Sequence, residues 1–224
     1  MSYKTIFTAL TQDNLAQPML AHTATLCETH DAHLEALCLG VDRSQTGYYY
    51  AGANALVLQE VIEKANEDAL ALEKLAEAEL GKTVLRWSCD HGMAQLPDIG
   101  RHAAARARFA DIAVLPTPYG DDRGPEQEAL VEACLFEARV PVLVVPEKRA
   151  PLGAPKTVVI GWNESEEALG AVRAALPLLK QAREDQVVEI CASADAAAAA
   201  ARVADVAAWL RRHGVVAESE ARVR

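Results

Sequence analysis

The stretch PKTVVIGWNES, Pro155 to Ser165, reads as the opening of a domain, yet it lies two-thirds of the way along a chain of 224 residues. The chain's own opening is YKTIFTALTQD, Tyr3 to Asp13. A shift of 152 positions lays Lys4 on Lys156, Thr5 on Thr157, Ile6 and Phe7 on Val158 and Val159, and Leu10 on Trp162. A beginning that occurs twice predicts a tandem repeat of one unit.

Outward from these two openings, strand and helix signals alternate. Residues 3–10 are β-branched and apolar, and Thr11 to Asn14 then open a helix to about His30, with Leu15, Met19, Thr23 and Leu26 on one face. A strand over His33–Val41 follows, then a helix from about Ala53 to Leu80, ended by Gly81. Thr83–Ser88 predicts a third strand, Ala94–Arg108 a third helix, ADIAVL (110–115) a fourth strand, Pro125–Arg139 a helix and PVLVVP (141–146) a fifth strand. Near-continuous apolar strands separated by helices indicate an α/β fold with a parallel sheet covered on both faces. EKRAPLGAP, Glu147–Pro155, reads as a linker, giving a first domain at 1–147, a linker at 148–154 and the start of a second domain at 155–224. The second copy predicts strands at 156–162, 186–192 and 215–222, and helices at 164–182 and 196–213, with Pro177 kinking or shortening the first of these. A complete second copy would extend past residue 224, so this one reads as incomplete.

Composition narrows the function classes. A net charge of -10 argues against a nucleic-acid partner, because phosphate backbones select clustered Lys and Arg. No apolar run approaches the roughly 20 residues that span a bilayer. Cys27, Cys38, Cys89, Cys134 and Cys191 stand singly, without a C-x-x-C pair, and read as buried thiols of a reducing compartment, so the expected location is the cytoplasm.

The five-strand order of signals, the closing FEARVPVLVVP and the restart VVIGWNESEEALGAVRAALPLL resemble the universal stress protein family, in its tandem bacterial form. The resemblance implies a doubly wound sheet of five parallel strands, a ligand crevice outside their carboxyl ends, an adenine nucleotide such as ATP as the ligand, and pairing of domains through their fifth strands. Members that bind ATP carry an Asp after the first strand, and after the fourth strand Gly-x-x-Gly, nine residues, then Gly-Ser or Gly-Thr. The glycines let the backbone approach the phosphates at a helix N-terminus. In the first copy these places hold Thr11, then Pro116 and Tyr119, then Ala129 and Leu130; a one-residue change of register recovers only Gly120. Asp121, Asp122, Glu126 and Glu128 add negative charge where a polyphosphate would lie, so the ATP motif here is degenerate. In the second copy the Asp position is Asn163, and the glycine motif would fall beyond residue 224. The nucleotide-binding set that the resemblance implies is thus Trp162, Asn163 and Ser165 in the second copy, with Thr11 and Val41 in the first.

Other clusters carry weaker signals. WSCDHG (87–92) places Cys89, Asp90 and His91 at a strand end, where a Cys-His nucleophile competes with the stronger reading of a turn with a half-buried thiol. His22, His30 and His33 lack partners at metal-ligand spacing, and two of them read as surface residues. GYYYAG (47–52) is an aromatic loop suited to a lid or to stacking a base. Arg101, Arg106 and Arg108 read as a solvated face answering local acidity.

The expected function is a non-catalytic cytoplasmic stress-response protein that binds partners or a small ligand, with any nucleotide held by the second copy. The rival class is a slow ATP hydrolase or a transferase using the same crevice. PVLVVP, apolar at Val142, Leu143, Val144 and Val145, should be covered on both faces and lie at the sheet edge. An apolar edge with free backbone groups invites pairing, here with the second copy's fifth strand or, in a chain ending at residue 224, with another molecule as a homodimer.

Overall fold

The structure, a computed structural model, describes residues 2–43, 55–120, 123–151 and 153–223, with the backbone alone at 55–58. Two compact units divide between residues 152 and 153.

The first unit is built from strands β1 (Thr5–Leu10), β2 (His33–Asp42), β3 (Arg86–Gln95), β4 (Ile112–Pro116) and β5 (Val142–Val145), with helices α1 (Asp13–His30), α2 (Ala55–Leu80), α3 (Ile99–Ala107) and α4 (Pro125–Glu132) between them. All pairings are parallel, in the order β3-β2-β1-β4-β5. Parallel neighbours need a crossover helix, and helices on both faces require strands apolar on both faces. Accordingly Phe7, Leu37, Leu39 and Leu115 pack with Ile99 of α3 and Leu130 of α4. Their alternate neighbours Ile6 and Leu34 are equally buried and point to the opposite face. Each such side chain contributes about 1.5–3 kcal/mol by burial. Gly40 lets α2 lie against β2, since a Cβ there would stand 1.7 Å from the carbonyl oxygen of Ala65.

Several boundaries depart from the sequence reading. β3 runs to Gln95 rather than ending at Ser88, pairing residue for residue with His33–Asp42. The WSCDHG segment is therefore strand and not a turn; its polar residues are tolerated because β3 is an edge strand with β2 as its one neighbour. α3 begins at Ile99, after a 3-10 turn at Leu96–Asp98. The α-helical part of the last helix stops at Glu132 and continues as a single π-turn over Ala133–Glu137, where Ala138 N–H donates to the Ala133 carbonyl at 2.9 Å. Arg139, at φ 57°, then reverses the chain into β5. Val144 is 42% exposed rather than covered. His22 and His30 are buried, against the surface placement read for two of the three histidines.

The second unit contains β6 (Thr157–Gly161), α5 (Glu166–Leu179), β7 (Glu184–Cys191), α6 (Ala196–Arg212) and β8 (Ala217–Val223). Its sheet is parallel, in the order β6-β7-β8. One face is packed: Ile160, Val187 and Val215 meet Val172, Leu176 and Leu179 of α5 and Val203 and Leu210 of α6. On the other, Val159 and Ile190 are 63% and 71% exposed. Pro177 sits two residues before the end of α5, which stops at Leu179 rather than at 182. Among the described residues no helix is long and apolar enough to cross a membrane.

Candidate functional site

In the first unit the strand order reverses between β1 and β4, which opens a crevice beyond their carboxyl ends beside the N-terminus of α4. The chain's own side chains occupy this place. Glu126 is 1% exposed and accepts from Arg43 Nε at 2.6 Å. Gln127 Nε2 donates to Thr11 Oγ1 at 3.2 Å, while its Oε1 accepts from Gly124 N–H at 3.0 Å. Arg123 Nε donates to the Thr117 carbonyl at 2.8 Å, and Nη2 stands 2.5 Å from Glu147. Glu126 lies so close against the loop that a Cβ at Gly124 would be 1.9 Å from Oε2, so a larger residue there would displace this carboxylate. The helix N-terminus that would attract a phosphate thus lies beside a buried carboxylate of the chain itself.

The structure does not bring Thr11 and Val41 into one open pocket. Thr11 belongs to this network, whereas Val41 is buried and lines a cleft of about 380 Å³ with Arg43, Glu60, Val61, Lys64 and Asp68. The positions matched to the phosphate glycines are equally unsuited. Pro116 ends β4, Tyr119 OH donates to Glu128 at 3.2 Å, and Ala129 and Leu130 lie inside α4, with Leu130 in the core. Asp121, Asp122 and the GYYYAG segment lie outside the described residues.

In the second unit the turn after β6 is held by its own polar groups. Trp162 N–H donates to the Val188 carbonyl at 2.9 Å, and Asn163 Oδ1 accepts from Ser165 N–H at 3.1 Å. Glu164 adopts φ 60°, a left-handed conformation that costs a non-glycine residue on the order of 1 kcal/mol or more. Ser165 Oγ caps α5 by accepting from Ala168 N–H at 3.1 Å. Asn163 and Ser165 therefore build the turn, and Trp162 alone of the three lines the cavity beside it. That cavity, about 250 Å³, is walled by Trp162, Leu169, Val172, Val206 and Trp209, with Glu164, Arg202 and Asp205 as its polar groups. Trp162 Nε1 is buried and meets no acceptor among the described residues. Arg202 donates to both oxygens of Glu189, through Nε at 3.1 Å and through Nη2, and stands 3.4 Å from Glu164. These hydrogen bonds hold the Glu189 carboxyl below its ordinary range. Two indoles and a wall of Leu and Val suit a planar ring. Arg202, already answered by two carboxylates, is not a free phosphate clamp, and no lining residue is a thiol, hydroxyl or imidazole. The sequence reading missed Arg202, Val206 and Trp209, whose helical spacing on α6 was the available signal.

Elsewhere, Cys89 and His91 share the face of β3 toward α2, and Asp90 points the other way, contacting Arg106 of α3. His91 Nδ1 lies 2.8 Å from Glu73 of α2, while Cys89 meets the thiol of Cys38, so no Cys-His pair forms. Arg101 and Arg106 pair with Asp98 and with Glu35 and Asp90, and Arg108 Nε donates to the Ala104 carbonyl, as expected of a solvated face. Among the described residues no group of three or more His, Cys, Asp or Glu could hold a metal ion.

Comparison with solved structures places this arrangement. A universal stress protein from Archaeoglobus fulgidus superposes with a TM-score of 0.70 at 10% identity, over 98% of this chain and 78% of that one. The fold is that of the universal stress proteins. A putative universal stress protein from Pseudomonas aeruginosa matches with a TM-score of 0.53 at 13% identity, over 98% of this chain and 74% of that one. A protein of unknown function from the same species matches with a TM-score of 0.55 at 14% identity, over the same shares. No protein-family model and no curated protein matches the sequence. The universal stress fold is matched at 10–14% identity, carried by alternation of apolar strands and helices.

Proposed function

We propose that the chain is a non-catalytic, cytoplasmic stress-response protein of the universal stress type. In this reading it is a tandem of two such units, of which the second holds a small planar ligand. The observation that carries the reading is the contrast between the two strand-end sites: the first is filled by Glu126, Gln127 and Arg123, and the second keeps a cavity beside the unpaired Trp162 Nε1. Its volume is near the lower end of ligand sites, roughly 300 Å³ upward, which suits one ring system. Adenine is the ring implied by the resemblance to universal stress proteins. Glu164 and Asp205 at the cavity disfavour a polyphosphate tail, so adenosine should bind more tightly than ATP. Titration calorimetry tests this. Adenosine should bind the wild type, and Trp162→Ala should weaken it roughly 5- to 150-fold, since base–indole stacking contributes about 1–3 kcal/mol. Equal affinity in the variant, or steady ATP turnover by the wild type, would contradict the reading.

The same proposal assigns partner binding to the edge of β5. β4 is its one neighbour among the described residues, and Val142 and Leu143 are half-buried while Val144 is exposed. Such an edge offers backbone donors and acceptors to another fifth strand, with Pro141 and Pro146 confining the ladder to the four residues between them. Val144→Lys should therefore shift the chain from dimer toward monomer in light scattering. Unchanged mass at equal concentration would remove β5 as the pairing edge.

A further inference from the structure

Two thiols that the crevice does not use lie side by side beneath α2. β2 and β3 run in a register that sets Cys89 opposite Ala36 and Cys38 opposite His91, so the two cysteines are diagonal neighbours on one sheet face. Their sulfurs are 3.6 Å apart and both are free thiols. Cys38 is fully buried, and Cys89, on the edge strand, is half-buried and reachable by a small solute. Cys27, Cys134 and Cys191 form no such pair in the structure.

We infer that Cys38 and Cys89 form a dithiol that hydrogen peroxide oxidises to a disulfide, tying β2 to the sheet edge. A disulfide needs its sulfurs at roughly 2.05 Å and its Cα atoms within about 7 Å, whereas diagonal neighbours stand about 7–8 Å apart, so closure turns both side chains and draws the edge strand β3 slightly along β2. In the first step the Cys89 thiolate attacks one peroxide oxygen. The O–O bond breaks, the released hydroxide takes up the thiol's proton as water, and Cys89 becomes a sulfenic acid. The Cys38 sulfur then attacks Cys89 Sγ, the S–O bond breaks, and hydroxide leaves with the Cys38 proton as a second water. Two thiols are oxidised by two electrons and one peroxide is reduced to two waters.

The division of roles follows from the environment. The hydrogen bond from Cys38 stabilises the Cys89 thiolate and lowers its pKa, while the same bond together with burial raises that of Cys38. Burial and the carboxylates of Glu73 and Glu77, with Asp90, act against the Cys89 thiolate, and His91, held by Glu73, is the nearby imidazole. In a reducing compartment the resting form is the dithiol, so closure would report an oxidising episode.

The test treats the full chain with a small excess of hydrogen peroxide, alkylates the remaining thiols under denaturing conditions and maps the peptides. We expect two thiols lost, one linkage joining Cys38 in Thr5–Arg43 to Cys89 in Trp87–Arg101, and recovery of both thiols with dithiothreitol. Cys38→Ser should instead leave a Cys89 sulfenic acid trappable by dimedone, and Cys191→Ser should leave the linkage intact. Mapping on the wild type stands even if a buried variant fails to fold. Retention of all five thiols, linkage through Cys191, or Cys89 driven to sulfinic acid with Cys38 still free would each overturn the inference.

Discussion

Gly40→Ala should lower the unfolding temperature of the first unit by roughly 6–12 °C. The new Cβ would stand 1.7 Å from the Ala65 carbonyl oxygen and 2.6 Å from its carbon, so backbone rather than a pliant side-chain tip must move. α2 would have to lift from β2 along the line of Ala65 and Ala69, both fully buried. Overpacking of a tight core costs about 1–3 kcal/mol, and a clash with backbone belongs at or above the upper end. For a chain of this size each kcal/mol shifts the midpoint by about 2–4 °C. Gly170→Ala provides the opposite sign. It lies inside α5, where a Cβ meets nothing within 4 Å, so the second unit should gain up to about 1 kcal/mol. Calorimetry resolving the two transitions checks both; a Gly40→Ala chain as stable as wild type would mean that α2 does not rest on β2 as described.

Arg43→Ala should destabilise the first unit by about 2 kcal/mol, the second-largest effect expected. Removing one partner of a buried ion pair costs roughly 3–5 kcal/mol, and the half-exposed guanidinium of Arg43, screened by water, reduces that figure. What remains is a carboxylate at 1% exposure without its cation. Glu126→Gln in the Arg43→Ala background should recover part of the loss, because a neutral amide is less costly to bury alone. Chemical denaturation of the four chains of this cycle gives the coupling directly, and additive losses would show that the contact contributes nothing.

The sequence disclosed the fold where strands are apolar and hid it where they are not. β1 and β4 are buried along nearly their whole length, and β5 and β6 carry the same apolar signal although Val144 and Val159 stand exposed. β3 was misread because WSCDHGMAQ mixes half-buried and exposed positions on an edge strand, and polar residues there answer α2 and α3 through His91–Glu73 and Asp90–Arg106. The π-turn after α4 left no periodic mark, since one extra residue per turn merely shifts the phase of a short apolar stripe. At the first crevice the charges were legible but their use was not. Glu126 read as repelling a phosphate and Gln127 carried no signal, whereas the structure turns Glu126 inward to Arg43 and Gln127 to Thr11, across 83 and 116 residues. The cavity of the second unit was half visible: Trp162 was read from the turn after β6, while Arg202 and Trp209 arrive from α6 only when α6 packs over β7.

The division of labour between the two strand-end sites is open to one spectrum. The chain has three tryptophans, Trp87 on β3 and Trp162 and Trp209 at the cavity, giving three indole N–H signals in a nitrogen–proton correlation spectrum. Addition of adenosine should move the Trp162 and Trp209 signals and leave that of Trp87 and the side-chain signals of Gln127 and Arg43 in place. Shifts at Gln127 and Arg43 with Trp162 unmoved would place the ligand in the first unit's crevice and contradict the account.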